Sequence, residues 1–208
     1  TVAYKIHRRT GIPFMVESFE PHSDYMVECG EWNKNGIRDR FAKYYERKQL
    51  KYAKQIITVT NNYKSYLMET KGVLEDKIKV IPSIAEIEEF SFNISDRDRI
   101  RNKFDLGDDV TGIYVGKFGG LYYNAEAYDI FRAAYDHFEG KMKFIILSPE
   151  PADVIYYEMS KRGIERSSVH ALVTSHNDVP QFLSASDFAF STVKPAFSKQ
   201  FQCPIKNG

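Results

Sequence analysis

Hydrophobic and polar residues follow two alternating patterns along this chain. Short runs rich in β-branched residues, such as 56–60 and 77–81, have the length and composition of buried parallel strands. Longer stretches such as 37–52 repeat their apolar residues at three- and four-residue spacing, which is typical of one face of a helix. The two patterns alternate with short connections, and this order predicts parallel β–α–β units rather than an antiparallel fold.

The predicted elements fall into two groups, separated by an acidic stretch without periodicity. The first group has strands at 14–19, 56–60 and 77–81, helices at 37–52 and 63–70, and a polar loop over 20–31. The second has strands at 112–116, 143–147, 169–174 and 187–191 and helices at 96–104, 124–138, 151–162 and 179–185. We therefore predict an α/β fold with two Rossmann-like, doubly wound parallel-sheet domains over 1–90 and 91–208, each only partly contained in this chain.

Composition narrows the classes of partner and location. The 208 residues carry a net charge of +1, which provides no overall field to attract nucleic acid or an anionic membrane. No apolar run approaches the roughly 20 residues of a membrane span, and no signal-peptide pattern opens the chain. Cys29 and Cys203 lie far apart without metal-ligand spacing, so we expect two free thiols in a reducing compartment. These features predict a cytoplasmic protein that does not bind nucleic acid.

A glycine-rich turn follows the predicted strand at 112–116. It contains Gly116, Lys117, Phe118 and Gly119, and a predicted helix begins shortly after it. Glycines let a backbone approach an anion, a helix N-terminus adds partial positive charge, and a lysine adds a full charge. The pattern favours phosphate binding. The alternative is a plain strand-to-helix connection with an ordinary solvated lysine.

Ligands of doubly wound folds bind at the carboxyl ends of the strands, where the crevices open. Besides the glycine-rich turn, this rule selects the segments 20–22, 60–62, 83, 148–150, 174–178 and 192–194.

Five short motifs follow one another in a characteristic order. They are Ile56-Ile57-Thr58-Val59-Thr60, Lys77-Ile78-Lys79-Val80-Ile81-Pro82, Tyr114-Val115-Gly116-Lys117, Val179-Pro180-Gln181-Phe182-Leu183-Ser184-Ala185-Ser186-Asp187 and Pro204-Ile205-Lys206. Their order resembles the middle of a GT-B glycosyltransferase and is most similar to the retaining enzymes of glycosyltransferase family 4.

The resemblance implies two Rossmann-like domains that face one cleft, with a nucleotide-diphosphate sugar held mostly by the second. It implies neither a metal nor another cofactor, because basic side chains and a helix N-terminus neutralise the departing diphosphate in such enzymes. The expected donor-site residues are Gly116, Lys117, Phe118 and Gly119 at the diphosphate, Thr174, Ser175 and Asn177 in the nucleobase loop, and Lys206 near the sugar or ribose.

The resemblance also implies a sugar-contacting histidine near the end of the first strand. His22 stands within a few residues of that position, and Glu20 is the neighbouring carboxylate. These two residues are the candidate catalytic residues. A capping or surface histidine is the alternative interpretation of His22.

This sequence departs from the family pattern at several points. Tyr122 and Tyr123 stand in the region where a second basic residue is expected. The glycine-rich loop on the acceptor side and the carboxylate that closes the donor motif have no counterpart. We expect the chain to be a fragment of a longer protein that supplies these parts, and we expect no turnover by the fragment alone.

The function expected from the resemblance is hexosyl transfer from a nucleotide-diphosphate sugar to a carbohydrate or lipid-linked acceptor, with retention and without a metal. Bacterial surface polysaccharide assembly fits this chemistry, and a lipid-linked acceptor would bring the protein to the inner face of the membrane. The alternatives are a GT-B epimerase or phosphorylase, or a non-catalytic domain that binds a nucleotide or a partner. The absence of a second basic residue favours the non-catalytic alternative.

Two further patterns have structural explanations. Tyr44, Tyr45 and Tyr52 recur at helical spacing, which favours core packing over a platform for sugars. The charged run 96–101 is predicted to be a solvated helix face.

Overall fold

Two parallel sheets organise the protein, for which a computed structural model describes residues 2–120 and 122–203. In chain order its elements are α1 (Val2–Thr10), β1 (Met15–Glu17), α2 (His22–Glu28), α3 (Ile37–Tyr52), β2 (Gln55–Thr58), α4 (Asn61–Glu69), β3 (Ile78–Val80), α5 (Ile94–Lys103), β4 (Val110–Val115), α6 (Ala125–His137), β5 (Met142–Leu147), α7 (Ala152–Lys161), β6 (Val169–Leu172), α8 (Val179–Ala185) and β7 (Phe188–Phe190). Short 3-10 turns lie at Glu75–Lys77, Arg166–Ser168, His176–Asp178 and Phe197–Phe201. The elements form two compact units, one from the described parts of 1–84 and 194–208 and the other from Ala85–Val193.

The sheet of the first unit has the parallel order β1-β2-β3. Its central strand places Ile56 between Val16 of β1 and Ile78 of β3. Ile56 and Leu67 of α4 are fully buried, and Phe201 closes the same core. The β-branched run predicted for this strand is therefore explained by burial on both sides of its ladder.

The sheet of the second unit has the parallel order β6-β5-β4-β7, with helices on both faces. On one face Tyr114 packs with the core residues of α6 and α7. On the other face Ile113 and Ile145 pack with residues of α5 and α8. The chain runs from β4 through β5 to β6 and then returns to place β7 on the other side of β4. The sheet is thus doubly wound, with a topological switch point beside β4.

The segment after β7 packs within the first unit, although the sequence suggested that the second domain continues to residue 208. The Thr60 hydroxyl donates a hydrogen bond of 2.7 Å to the carbonyl of Phe201. The Ser198 amide donates to the carboxylate of Glu28 at 3.1 Å. The Phe201 ring lies 5.3 Å from that of Tyr63. These contacts join residues more than 130 positions apart, so no local sequence pattern predicts them.

The structure confirms the α/β fold class and contains every helix and strand listed from the sequence, with ends that differ by one or two residues. Helices α3 and α8 have the predicted bounds. Within the described residues, no helix combines the length and apolar character needed to cross a bilayer. Cys29 and Cys203 are free thiols, as predicted.

The prediction of a polar loop over 20–31 is wrong, because residues His22–Glu28 form helix α2. This helix has neither an apolar period nor a capping side chain at Pro21. Glu46 of α3 supplies the cap instead, accepting hydrogen bonds of 2.7 Å from both the amide and the hydroxyl of Ser23. A carboxylate at a helix N-terminus satisfies free amides and complements the helix dipole. Tertiary structure therefore forms a helix that the local sequence does not indicate.

The prediction of a solvated face for the charged run 96–101 is wrong for two of its arginines. Arg97 donates to the carbonyl of Ser184 and forms a 2.7 Å ion pair with Asp187. Arg101 donates to the carbonyl of Ala185 at 3.0 Å and to that of Gly107 at 2.8 Å. The guanidinium groups join α5 to the end of α8, because each provides several donors in a fixed geometry.

Of the three tyrosines of α3, two pack against α1 and one is exposed. Tyr45 and Tyr52 pack against Tyr4 of α1, with ring centroids 6.4 Å and 5.4 Å from that of Tyr4. Tyr44 is 46% exposed. The first two tyrosines therefore pack against α1 while staying half-buried, and the third is largely exposed.

Candidate functional site

The glycine-rich turn after β4 has a backbone that only glycine adopts readily. Gly116 has φ 140°, Gly119 has φ 80° and Gly120 has φ 63°, all in the region that disfavours a side chain. The Gly116 amide donates to the carbonyl of Leu147, and the Gly119 amide donates to that of Tyr123. The predicted glycines therefore shape the turn, and the amides of Gly116 and Gly119 are already bonded.

The amides between and after these glycines remain unbonded. Within the described residues, the N–H groups of Lys117, Phe118 and Gly120 have no acceptor in the chain. The Lys117 side chain is exposed, and its ammonium has no carboxylate partner among the residues that the structure describes. Successive free amides beside a free lysine form a concavity of the kind that binds anions. The turn thus has the chemistry of a phosphate site.

Phe118 fixes the turn onto the core of the second unit. Its ring stacks against Tyr114 at 4.7 Å and against Tyr128 at 4.8 Å. Burial raises the pKa of the Tyr114 phenol, which stays neutral and donates a 2.6 Å hydrogen bond to the carbonyl of Lys117. The Phe118 side chain is therefore used in packing, and only the backbone of this residue is available to a ligand.

The start of α6 brings a carboxylate close to the turn. Asn124, the residue before the helix, has no side-chain cap, and its amide donates to Glu126 at 3.2 Å. This bond places negative charge at the helix N-terminus. The helix dipole would otherwise stabilise a bound phosphate at this position.

The loop after β4 is also tied to the segment after β7, on the other side of the switch point. Tyr122 forms an antiparallel bridge with Val193, and the Tyr123 amide donates to the carbonyl of Thr192 at 2.9 Å. Tyr123 packs against the core cluster of α6 and α7. The two tyrosines that replace the expected basic residue therefore have structural contacts of their own.

The proposed nucleobase loop lies at the same edge of this sheet, two strands away from the turn. β5 separates β6 from β4, which puts the ends of those two strands about 10 Å apart at the usual strand spacing. Ser175 donates a 2.7 Å hydrogen bond to Asp178, and Gln181 donates to the same carboxylate at 2.8 Å. Thr174 is half-buried and Asn177 is exposed. Ser175 serves the local turn, while Asn177 is available to a ligand.

Glu20 and His22 lie together at the carboxyl end of β1 in the first unit. The His22 Nδ1 atom is 3.9 Å from the Glu20 Oε1 atom. The Glu20 side chain is only 15% exposed, whereas that of His22 is 59% exposed and stacks on Tyr25. Both residues border a cavity of about 640 Å³ that is open to solvent. The two candidate catalytic residues are thus near neighbours.

Two residues that the sequence did not indicate hold Glu20 in place. Gln202 donates from its amide nitrogen to Glu20 at 2.9 Å, and Lys199 donates to the amide oxygen of Gln202 at 2.7 Å. Burial lowers the pKa of Lys199, while the nearby Glu20 and Glu28 carboxylates act in the opposite direction. Only the return of the chain to the first unit brings these residues to Glu20, so no sequence signal reveals them.

Lys206, predicted to lie near the sugar or ribose, is outside the described residues. Across residues 2–120 and 122–203, no three His, Cys, Asp or Glu side chains cluster as metal ligands.

Comparison with solved structures identifies proteins of the same fold. HepE from Anabaena, solved in complex with UDP-glucose, is 13% identical with a TM-score of 0.65, over 90% of this chain and 49% of HepE. A glycosyltransferase from Rickettsia africae is 15% identical with a TM-score of 0.58, over 93% of this chain and 55% of its own. WaaG, a glycosyltransferase involved in lipopolysaccharide biosynthesis, is 15% identical with a TM-score of 0.59, over 90% of this chain and 55% of WaaG.

These likenesses show that the protein has the α/β fold of GT-B glycosyltransferases. The chain spans about half the length of the structures it matches. No protein-family model matches the chain. No curated protein matches it in sequence.

Proposed function

We propose that this chain forms part of a glycosyltransferase that moves a sugar from a nucleotide-diphosphate donor to a carbohydrate or lipid-linked acceptor. The observation that supports it most is the turn after β4, where the free amides of Lys117 and Phe118 lie beside an unpaired ammonium. Such a turn at the switch point of a doubly wound sheet is suited to a diphosphate.

The donor is proposed to be a UDP-sugar. HepE, which shares the fold, is solved both with UDP-glucose and with UDP. In this protein the diphosphate would contact Lys117 and the amides of residues 117 and 118, and the base would contact the loop that contains Asn177. Glu20 and His22 would act in the first unit, where His22 faces solvent beside the cavity and the Glu20 carboxyl group also borders it.

Retention of configuration and independence from metal ions belong to the same proposal. Lys117 and free amides would stabilise the charge that develops on the departing diphosphate, which is the role a metal has in other transferases. In the protein as it occurs, we expect turnover of UDP-glucose to persist in excess EDTA. A loss of turnover that Mg²⁺ or Mn²⁺ restores would contradict metal independence.

Calorimetric titration with UDP, GDP and ADP tests the donor site. We expect UDP to bind and Lys117→Ala to weaken its binding at least tenfold, or about 1.4 kcal/mol. Lys141→Ala is the matched control, because Lys141 is exposed just before the amino end of β5, away from the turn. Absence of nucleotide binding, or equal binding by wild type and Lys117→Ala, would count against the assignment.

A non-catalytic nucleotide-binding role is the second candidate. It is favoured by Glu126, whose carboxylate occupies the start of α6, and by the structural use of Tyr122 and Tyr123 in place of a basic residue. UDP binding without turnover of any UDP-sugar by the protein as it occurs would support this role over transfer.

A further inference from the structure

A second feature of the first unit has no part in the donor site. Two cavities of about 640 Å³ each lie along α3, and they share the lining residues Arg47, Leu50 and Lys71. They are therefore two halves of one groove, called here the α3 groove. One half reaches Glu20 and His22, and the other extends past Lys51 towards the start of β3.

In the half away from Glu20, all the charged residues of the lining are cations. Arg47, Lys51, Lys71 and Lys77 contribute to it, and no aspartate or glutamate does. Among the described residues, none of these four has a carboxylate partner. Lys77 bonds to the carbonyl of Lys51, and Lys71 lies 5.2 Å above the ring of Tyr66. Unpaired cations that converge on a concave surface attract an anion.

The neighbouring lysines show that partners are available in this unit. Lys64 pairs with Glu75 at 2.7 Å, and Lys43 pairs with both Asp24 and Asp39. The cations of the α3 groove therefore differ from these neighbouring lysines, because they have no carboxylate partner among the described residues.

The half of the groove near Glu20 has a different character. Its carboxylates are already bonded, since Glu46 accepts from Ser23, Asp24 pairs with Lys43 and Glu20 accepts from Gln202. Glu17, exposed at the end of β1, is the exception. Each of these carboxylates keeps further lone pairs that can accept from the hydroxyls of a sugar, whereas the basic end suits a phosphate.

We propose that the α3 groove binds a saccharide that carries a phosphate or diphosphate, with the anionic group at Arg47 and Lys71 and the sugar towards Glu20 and His22. The helical rise puts Lys43 and Lys51 about 12 Å apart along α3, which fits a ligand of this size. The identification of this ligand as the acceptor rests on the proposed function, whereas the binding of a phosphosugar does not. A concave groove of this volume also suits a small ligand better than a flat lipid surface.

Calorimetric titration with glucose 1-phosphate, inorganic pyrophosphate and glucose tests the groove. We expect the two phosphate compounds to bind more tightly than glucose, and the double variant Arg47→Gln/Lys71→Gln to weaken their binding at least tenfold. Charge-assisted hydrogen bonds to phosphate are lost in this variant. The control is Arg38→Gln/Lys48→Gln, which removes an exposed arginine of α3 and a lysine that lies 5.3 Å above Tyr44. Equal weakening in both variants, or no binding of either phosphate compound, would overturn the proposal.

The same variants separate this proposal from the donor site. Lys117→Ala should leave glucose 1-phosphate binding within twofold of wild type, and Arg47→Gln/Lys71→Gln should leave UDP binding within twofold. If UDP fails to bind while phosphosugar binding still depends on Arg47 and Lys71, the donor assignment fails and the groove assignment stands. Pyrophosphate binding that depends on Lys117 instead would overturn the groove assignment.

Vesicle sedimentation distinguishes the sources of the phosphate. Binding to phosphatidylcholine vesicles that contain polyprenyl phosphate, weakened by Arg47→Gln/Lys71→Gln, would indicate a lipid-linked ligand, and glucose 1-phosphate binding without vesicle binding would indicate a free phosphosugar. Both results support the groove as a phosphate site. Equal binding to phosphatidylglycerol vesicles, with no binding of glucose 1-phosphate, would show a general membrane surface and overturn the proposal.

Discussion

The turn after β4 and the segment after β1 both follow the carboxyl end of a parallel strand, yet they are constructed differently. The first is local: Tyr114 bonds to the carbonyl of Lys117, and Phe118 stacks between Tyr114 and Tyr128. The second depends on distant residues, because Gln202 holds Glu20 across 182 positions. The difference indicates that the aromatic stack of the β4 turn comes from nearby residues, whereas the Glu20–His22 pair requires the return of the chain to the first unit.

The largest expected effect comes from removing the aromatic ring that anchors the returning segment. Phe201 is 4% exposed and packs on Tyr63 and Tyr66, so Phe201→Ala should lower the free energy of unfolding by about 3 to 5 kcal/mol. Trp32, the single tryptophan, lies in the first unit, and its fluorescence during urea unfolding reports that loss. UDP binding by the folded variant should stay within twofold of wild type. A tenfold weaker UDP affinity would show that the two sites are not independent.

The converse substitution targets the turn after β4. Phe118→Ala removes a half-buried ring from the stack with Tyr114 and Tyr128, at a cost of about 2 to 3 kcal/mol, less than for a fully buried phenylalanine. Because the ring fixes the backbone of residues 117 and 118, UDP affinity should fall at least fivefold while glucose 1-phosphate affinity is unchanged. Circular dichroism follows stability and calorimetry follows binding. Unchanged UDP affinity would mean that the turn does not need this stack.

The smallest effect on stability is expected at Gln202. Gln202→Leu removes the amide that donates to Glu20, which should cost about 1 kcal/mol of stability. In the protein as it occurs, the proposed sugar transfer should fall at least tenfold with UDP affinity unchanged, because Glu20 loses the hydrogen bond that orients it. Gln200→Leu serves as the control, since its side chain is exposed and its carbonyl, which accepts from Asn62, is retained in the variant. Equal transfer rates in the two variants would remove Gln202 from the positioning of Glu20.

Most strands and helices of both sheets follow from local pattern, and particular residues show where that pattern fails. Helix α3 has the predicted bounds because its apolar spacing continues through sixteen residues. Helix α2 escapes prediction because Glu46, 23 positions away, caps Ser23. The start of α4 shifts for a related reason: the helix predicted over 63–70 begins at Asn61, because the Thr60 hydroxyl accepts from the Tyr63 amide and also donates to the carbonyl of Phe201.

The candidate site also combines features that the sequence shows with features that only the structure shows. The glycines of the β4 turn are evident in the sequence, since positive φ at three positions leaves little choice of residue. Which amides remain free is not evident, because Leu147 and Tyr123 accept from the glycines and leave those of Lys117 and Phe118 available. The cations of the α3 groove look like ordinary surface charges until the partners of their neighbours are known.

By itself, the sequence determined the class of fold, the order and approximate bounds of most strands and helices, and the location of a glycine-rich turn with a lysine. Each of these depends on interactions within a few residues, on the burial pattern of one strand or helix, or on the backbone freedom of glycine. Tertiary structure alone decided that 194–203 belongs to the first unit, that Gln202 holds Glu20, and that Arg47 and Lys71 stay unpaired. These features depend on contacts between distant parts of the chain, for which a single sequence contains no local record.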